Sequence, residues 1–204
     1  MARLTAQNVE RGRAIIARYP RPRSAMIPLL HLAQEQDGHL TPEAMEHVGI
    51  LVGATPAEVL GVATFYEMFK HHEVGTYLVG VCTNLTCMLL GSDEIVDHLE
   101  SRLGIRPGAT TPDGTFTVEE MQCLAACDGA PCLQVNYRYF ENVTPERVDG
   151  ILDALRAGQD PEGQAVPPHG TLSRVAARLP LPVTPADRER PEEIHASAPA
   201  GDPQ

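Results

Sequence analysis

The sequence predicts an α+β chain: a bundle of helices first, a small α/β sandwich second, and an irregular Pro-rich tail last. Three observations carry this. Apolar residues recur at helical spacing through residues 1–70. From His71 onward the period changes to short β-branched runs separated by turn residues. Nine of the 18 prolines fall between Asp160 and Gln204.

Val9, Ile15 and Ile16 mark a first helix that stops at Tyr19-Pro20. Met26, Leu29, Leu30 and Ala33 give the apolar stripe of a second, with Gly38 as its C-terminal stop. Thr41-Pro42 opens a third, where proline is tolerated because the first helical N–H has no intrahelical acceptor. Its stripe is Met45, Val48, Leu51 and Val52, and Gly53 ends it. Thr55-Pro56-Ala57-Glu58 is a capping box, with Glu58 placed to reach back to the Thr55 amide. Val59 to Phe69 is apolar on more than one face, which suits a core element and also a docking face.

Thr76 to Val81 then reads as a strand, and Ser92 to Leu103 as an amphipathic helix with Ile95, Val96 and Leu99 inward. Thr115 to Val118 alternates like a second strand. Leu133 to Asn136 and Arg138 to Phe140 are the arms of a small hairpin. Thr144-Pro145-Glu146-Arg147 opens a last helix through Ile151 and Leu155. The order β, α, β, β, β, α is that of an α/β sandwich with cysteines on its connections. Three regions follow: a helical domain at 1–72, the cysteine-bearing α/β domain at 73–157, and a tail at 158–204. From Asp160 the tail has no cysteine or aromatic residue, and seven carboxylates stand against four arginines. It lacks the apolar surface to offset its ordering entropy, so it is expected to be disordered or ordered on a partner. A short helix near Leu172 to Leu179 is its one candidate element.

Composition excludes some function classes. A net charge of −11 and a pI near 5.1 argue against nucleic-acid phosphates as a partner. Lys70 is the single lysine among 16 basic residues, which reads as composition bias. The N-terminus, Met1 to Gln7, has no apolar signal-peptide core. Nowhere is there the run of about 18 apolar residues that a membrane span needs, so a membrane location is expected only through a partner. A reducing compartment is expected, where paired cysteines favour metal sites over disulfides.

Four of the five cysteines form two close pairs. Cys82 and Cys87 enclose four residues and follow the apolar run Tyr77 to Val81. Cys123 and Cys127 enclose three and precede Asp128-Gly129-Ala130-Pro131. Structural zinc sites favour two residues between paired cysteines, and a redox dithiol needs Cys-x-x-Cys. A [2Fe–2S] cluster takes four thiolates, two on each iron, and accepts the wider spacing, so the gaps favour it over zinc. An anionic cluster also needs N–H and hydroxyl groups around it rather than carboxylates. Thr83, Asn84 and Thr86 are short and polar, Ala125, Ala126 and Gly129 let backbone approach sulfur, and Leu85, Met88, Leu89 and Leu124 restrict water. Cys132 reads as a small buried residue at a strand start rather than a ligand. Pro131 is a candidate cis proline. His71-His72 are read as exposed turn residues before ligands, and Glu119-Glu120 as solvated before tuning a nearby centre. No Gly-x-Gly-x-x-Gly fingerprint and no Ser/His/Asp or Cys–His nucleophile set stands out, so hydride or acyl chemistry is not expected of this chain alone.

The segments Val81-Cys82-Thr83-Asn84-Leu85-Thr86-Cys87, Cys123-Leu124-Ala125-Ala126-Cys127-Asp128-Gly129-Ala130-Pro131 and Gln134-Val135-Asn136 closely resemble one family. It is the thioredoxin-like [2Fe–2S] ferredoxin subunit of NADH:quinone oxidoreductase (respiratory complex I). Ile27-Pro28-Leu29-Leu30 and Gly61 to Tyr66 match its helical part, and the likeness runs from about Tyr19 to Leu155. Cys132 departs from the family, which usually has an aliphatic residue there. The resemblance implies a thioredoxin-like fold that lacks the dithiol, with Cys82, Cys87, Cys123 and Cys127 as ligands of one [2Fe–2S] cluster. It implies docking on a flavoprotein subunit that binds NADH and FMN, and proximity to the large multi-cluster iron–sulfur subunit. One electron would pass between the FMN and this cluster, in a peripheral arm on the cytoplasmic side of the membrane. Two alternatives stay open: the same module in an NAD-linked hydrogenase or formate dehydrogenase, and a structural zinc module serving as an interaction scaffold.

Overall fold

A computed structural model of the chain describes residues 3–170. Four helices come first: α1 (Ala6–Ile16), α2 (Met26–Asp37), α3 (Pro42–Val52) and α4 (Pro56–Phe65). Their starts follow local chemistry. Thr5, Thr41 and Thr55 each accept a backbone N–H at a helix N-terminus, and Thr55 with Glu58 completes the capping box. That arrangement, with Arg23 beside it, holds the Glu58 carboxyl down to about 2; the Thr55 backbone N–H is the largest cause. Gly38 and Gly53 end α2 and α3 in the left-handed conformation that glycine adopts without Cβ strain. Leu29, Leu30, Ala33, Val48, Val59 and Ala63 form a core with no more than trace exposure. The segment from Val59 to Phe69 is core in part: Val59, Ala63 and Phe69 are buried, while Leu60, Phe65 and Tyr66 are exposed.

The second part is a four-stranded mixed sheet in the order β2-β1-β3-β4, built from β1 (Tyr77–Cys82), β2 (Phe116–Met121), β3 (Leu133–Val135) and β4 (Arg138–Phe140). β1 and β2 run parallel, which requires a crossover, and two helices lie within it: the short α5 (Leu85–Leu89) and α6 (Ser92–Leu103). β3 pairs antiparallel with both β1 and β4. The last helix is α7 (Pro145–Arg156). Strand alternation splits the sheet into two faces. Tyr77, Val79, Val81, Phe116, Val118, Leu133 and Val135 pack with Ile95 and Leu99 of α6 and Ile151, Leu152 and Leu155 of α7. Leu78, Gly80, Cys82, Thr117, Glu119, Met121 and Gln134 alternate with them and so belong to the other face.

The two parts meet along that second face. Gln34 is buried in α2 and ties down the strap after α4: its Nε2 donates to the Met68 carbonyl at 2.8 Å and its Oε1 accepts from Lys70 N at 2.7 Å. The Lys70 ammonium then reaches Glu119 of β2 at 2.6 Å, with the two side chains only 11% and 19% exposed. Glu119 is therefore paired rather than solvated, whereas Glu120 is exposed. Tyr137 donates to the Met68 carbonyl at 3.4 Å, and its phenol is pushed up to about 12, by burial first and Glu119 second. Residues 158–170, which the sequence groups with the tail, lie against the sheet part: Val166 is 6% exposed within its core, and the Asn136 amide donates to the Pro167 carbonyl at 2.9 Å. The candidate helix at 172–179 lies outside the described residues. Among the described residues, no single helix is long and apolar enough to cross a membrane.

Candidate metal centre

The cysteines gather at the C-terminal ends of β1 and β2. Cys82 is the last residue of β1, and the chain then turns through Thr83 and Asn84 into α5, which carries Cys87. Five residues are too few to show a helical period, so the sequence gives no sign of α5. On the neighbouring strand, β2 ends at Met121, two residues before Cys123. The Thr83 N–H donates to the Met121 carbonyl at 3.0 Å, which fastens the two cysteine loops to each other.

Cys82, Cys87, Cys132, Leu124 and Ala126 form one buried cluster, with Met121 and Ala130 packed against it. The sulfurs of Cys82, Cys87 and Cys132 lie within 4.8 Å of one another. All five cysteines are free thiols. Cys123 and Cys127 are exposed and stand outside that trio, although Leu124 and Ala126, which alternate with them, are buried against it. The structure thus unites the first pair, leaves the second on the outer side of a loop in contact with it, and adds Cys132. Cys132 is buried as expected, at 1% exposure. Its place beside Cys87 depends on the pairing of β1 with β3, since the Cys82 N–H donates to the Cys132 carbonyl at 3.1 Å. Sequence spacing carries no information on that register. The Ala130–Pro131 bond is cis, in line with the expectation for Pro131.

Donor chemistry fits a thiophilic centre. Among the described residues, the metal-binding side chains that converge here are three cysteine sulfurs, with no carboxylate in the group, which disfavours hard cations that need oxygen ligands. Burial pushes the Cys82 thiol up, but the N–H groups of Asn84 and Leu124, with the Cys87 and Cys132 thiols, outweigh it and bring it below its ordinary value. Leu124 comes from the second loop, so one loop favours a thiolate on the other. Burial raises Cys87, and Cys82 adds to that, against the Cys132 N–H. Ala125, midway between Cys123 and Cys127, has a φ of 57°, a left-handed conformation that costs a non-glycine residue on the order of 1 kcal/mol. In this conformation its N–H donates to the Cys123 sulfur at 3.4 Å. Anions gain from such convergent N–H groups. The residues present therefore fit a [2Fe–2S] group, with thiolates for the irons, N–H donors for the negative charge and leucine to limit water. His71 and His72 are exposed and do not belong to the converging sulfur group, and His71 Nε2 lies 3.3 Å from the Ala63 carbonyl.

Comparison with known proteins bears on the same residues. The sequence profile of the family described as thioredoxin-like [2Fe–2S] ferredoxin matches residues 12–156. The E subunit of the NADH-quinone oxidoreductase of Mycobacterium tuberculosis is 46% identical over 146 residues, which cover 72% of this chain and 58% of that protein. The chain thus matches little more than half the length of its first curated relatives. NADH-quinone oxidoreductase subunit 2 of Thermus thermophilus is 44% identical over 146 residues, covering 70% of this chain and 81% of that one. Among solved structures, an NAD+-reducing [NiFe]-hydrogenase in the H2-reduced state superposes with a TM-score of 0.58 at 22% identity, over 65% of this chain and 22% of that chain. At that identity the likeness concerns the fold alone.

Proposed function

This chain belongs to the thioredoxin-like [2Fe–2S] ferredoxin family, and from that premise we propose that it is an electron-transfer subunit of an NADH:quinone oxidoreductase. Cys82, Cys87, Cys123 and Cys127 would hold its one [2Fe–2S] cluster. The observation that carries this reading is the contact of the two cysteine loops, Leu124 and Ala126 lying in one buried cluster with Cys82 and Cys87. A [2Fe–2S] group takes two thiolates on each iron, so its two cysteine pairs are not required to touch each other. Cys123 and Cys127, exposed on the loop that packs against the trio, would supply the second pair of thiolates. When bound, the cluster supplies reversible one-electron chemistry. The chain's own part is to hold sulfur as thiolate, to aim the N–H groups of Asn84, Leu124 and Ala125 at it, and to keep water away with Leu124 and Met121.

The hydride chemistry would lie with a flavoprotein partner that binds NADH and FMN, with the multi-cluster iron–sulfur subunit nearby, in the peripheral arm of the membrane complex. The identity of 42–46% to NADH-quinone oxidoreductase subunits favours this assembly over an NAD-linked hydrogenase, where the likeness is one of fold. Affinity purification of the full chain from its native cell distinguishes them: quinone-reductase subunits are expected to co-purify, and hydrogenase or formate dehydrogenase subunits in their place would overturn the assignment. The ligand set has its own test. Cys123→Ser is expected to lose most of the bound iron and sulfide and the reduced-state EPR signal while its helical circular dichroism persists. A full cluster with unaltered spectra in that variant would remove Cys123 from the set.

A further inference from the structure

Resting on Cys87 as a cluster ligand, we propose that Cys132 is a positioning residue that donates an S–H hydrogen bond to the Cys87 sulfur and thereby raises the cluster's reduction potential. The two sulfurs are 3.8 Å apart, within hydrogen-bond reach for sulfur, and both side chains are 1% exposed. Geometry leaves the direction of the bond open until Cys87 binds iron. An iron-bound Cys87 has no proton to give, so the proton between the two sulfurs belongs to Cys132. Cys132 has no metal bond in this reading and sits in an apolar pocket with Leu124 and Ala126, where a third bare thiolate would be repelled by two others. Its position is fixed by the sheet: the Cys82 N–H donates to the Cys132 carbonyl at 3.1 Å, and Leu133, the next residue, pairs with Val81. The ladder holds the Cys132 backbone, and so the Cβ from which its thiol reaches Cys87, in register with the end of β1.

The effect follows from charge. On reduction one electron is added, no bond forms or breaks, and the proton stays on Cys132. The added electron increases negative charge on the ligating sulfurs, and a hydrogen-bond donor to one of them stabilises the reduced form more than the oxidised form. A dry pocket strengthens the interaction. An aliphatic residue at this position supplies volume and no donor.

The experiment is a redox titration of the loaded full-length chain, followed by EPR and visible absorption, with iron and sulfide assayed on the same samples. Cys132→Val keeps the volume and removes the donor; Cys132→Ser keeps a donor. The valine variant is expected to hold a full cluster whose ratio of reduced to oxidised protein, at a fixed ambient potential, falls roughly three- to tenfold, the upper end being 59 mV for a one-electron couple. The serine variant is expected to stay at or above the native potential. A fully loaded valine variant with the native potential overturns the proposal. So does a valine variant that loses iron and sulfide while Cys123→Ser keeps them, because Cys132 would then be a ligand. Native chain without labile sulfide would instead overturn the cluster reading on which the proposal stands.

Discussion

At the scale of single residues, His31 shows how burial becomes pH dependence. Its ring packs 4.9 Å from Phe69, and its Nδ1 is buried without a hydrogen-bond partner. Burial lowers its pKa below the ordinary 6.5, against an opposing pull from Glu35. The unfolded chain therefore takes up the proton at a higher pH than the folded one, and unfolding is favoured as pH falls from 6.5 toward the lowered folded value. Urea denaturation at pH 7.5 and 5.5 (about one unit either side of that ordinary value) is expected to show a loss of stability that is smaller in His31→Phe. An equal loss in both proteins would assign the pH dependence elsewhere. Residue identity also accounts for what was legible at the site. The two cysteine pairs declare a metal centre by spacing alone. The left-handed Ala125 does not declare itself, because alanine gives no hint of a positive φ and the surrounding loop imposes it. Cys132 is legible as buried, and its partner is not, because that partner is chosen by strand register.

At the scale of elements, the helices were readable because caps, stripes and stops agree: Thr55 with Glu58, Met45 with Val48 and Val52, and Gly38 and Gly53 as ends. β2 runs three residues further than Thr115 to Val118 suggests, to Met121. Glu119 and Glu120 break the apolar alternation, and Lys70, contributed by the distant helical strap, compensates the charge of Glu119. That compensation is testable. Lys70→Met leaves the Glu119 carboxylate mostly buried without its cation, and is expected to lower the unfolding free energy by about 2–3 kcal/mol, below the range for a fully buried pair because both groups keep some solvent. Adding Glu119→Gln is expected to restore most of the loss. Chemical denaturation of the single and double variants checks this; additive losses would show that the pair is not what joins the strap to the sheet.

At the scale of the whole molecule, the sheet divides the labour. One face binds α6 and α7 into a core of sixteen buried residues. The other receives the helical part through Gln34, Lys70 and Tyr137, and the strand ends at its rim supply the cysteine loops. A parallel β1–β2 pair brings two loops from distant sequence to the same edge, so cysteines some forty positions apart share one neighbourhood. The central claim is that this neighbourhood holds an iron–sulfur cluster, and metal and acid-labile sulfide analysis of the anaerobically isolated full-length chain tests it most directly. About two irons and two sulfides per chain, in a brown protein with an EPR signal on reduction, is the expected result. Stoichiometric zinc with no labile sulfide would contradict it.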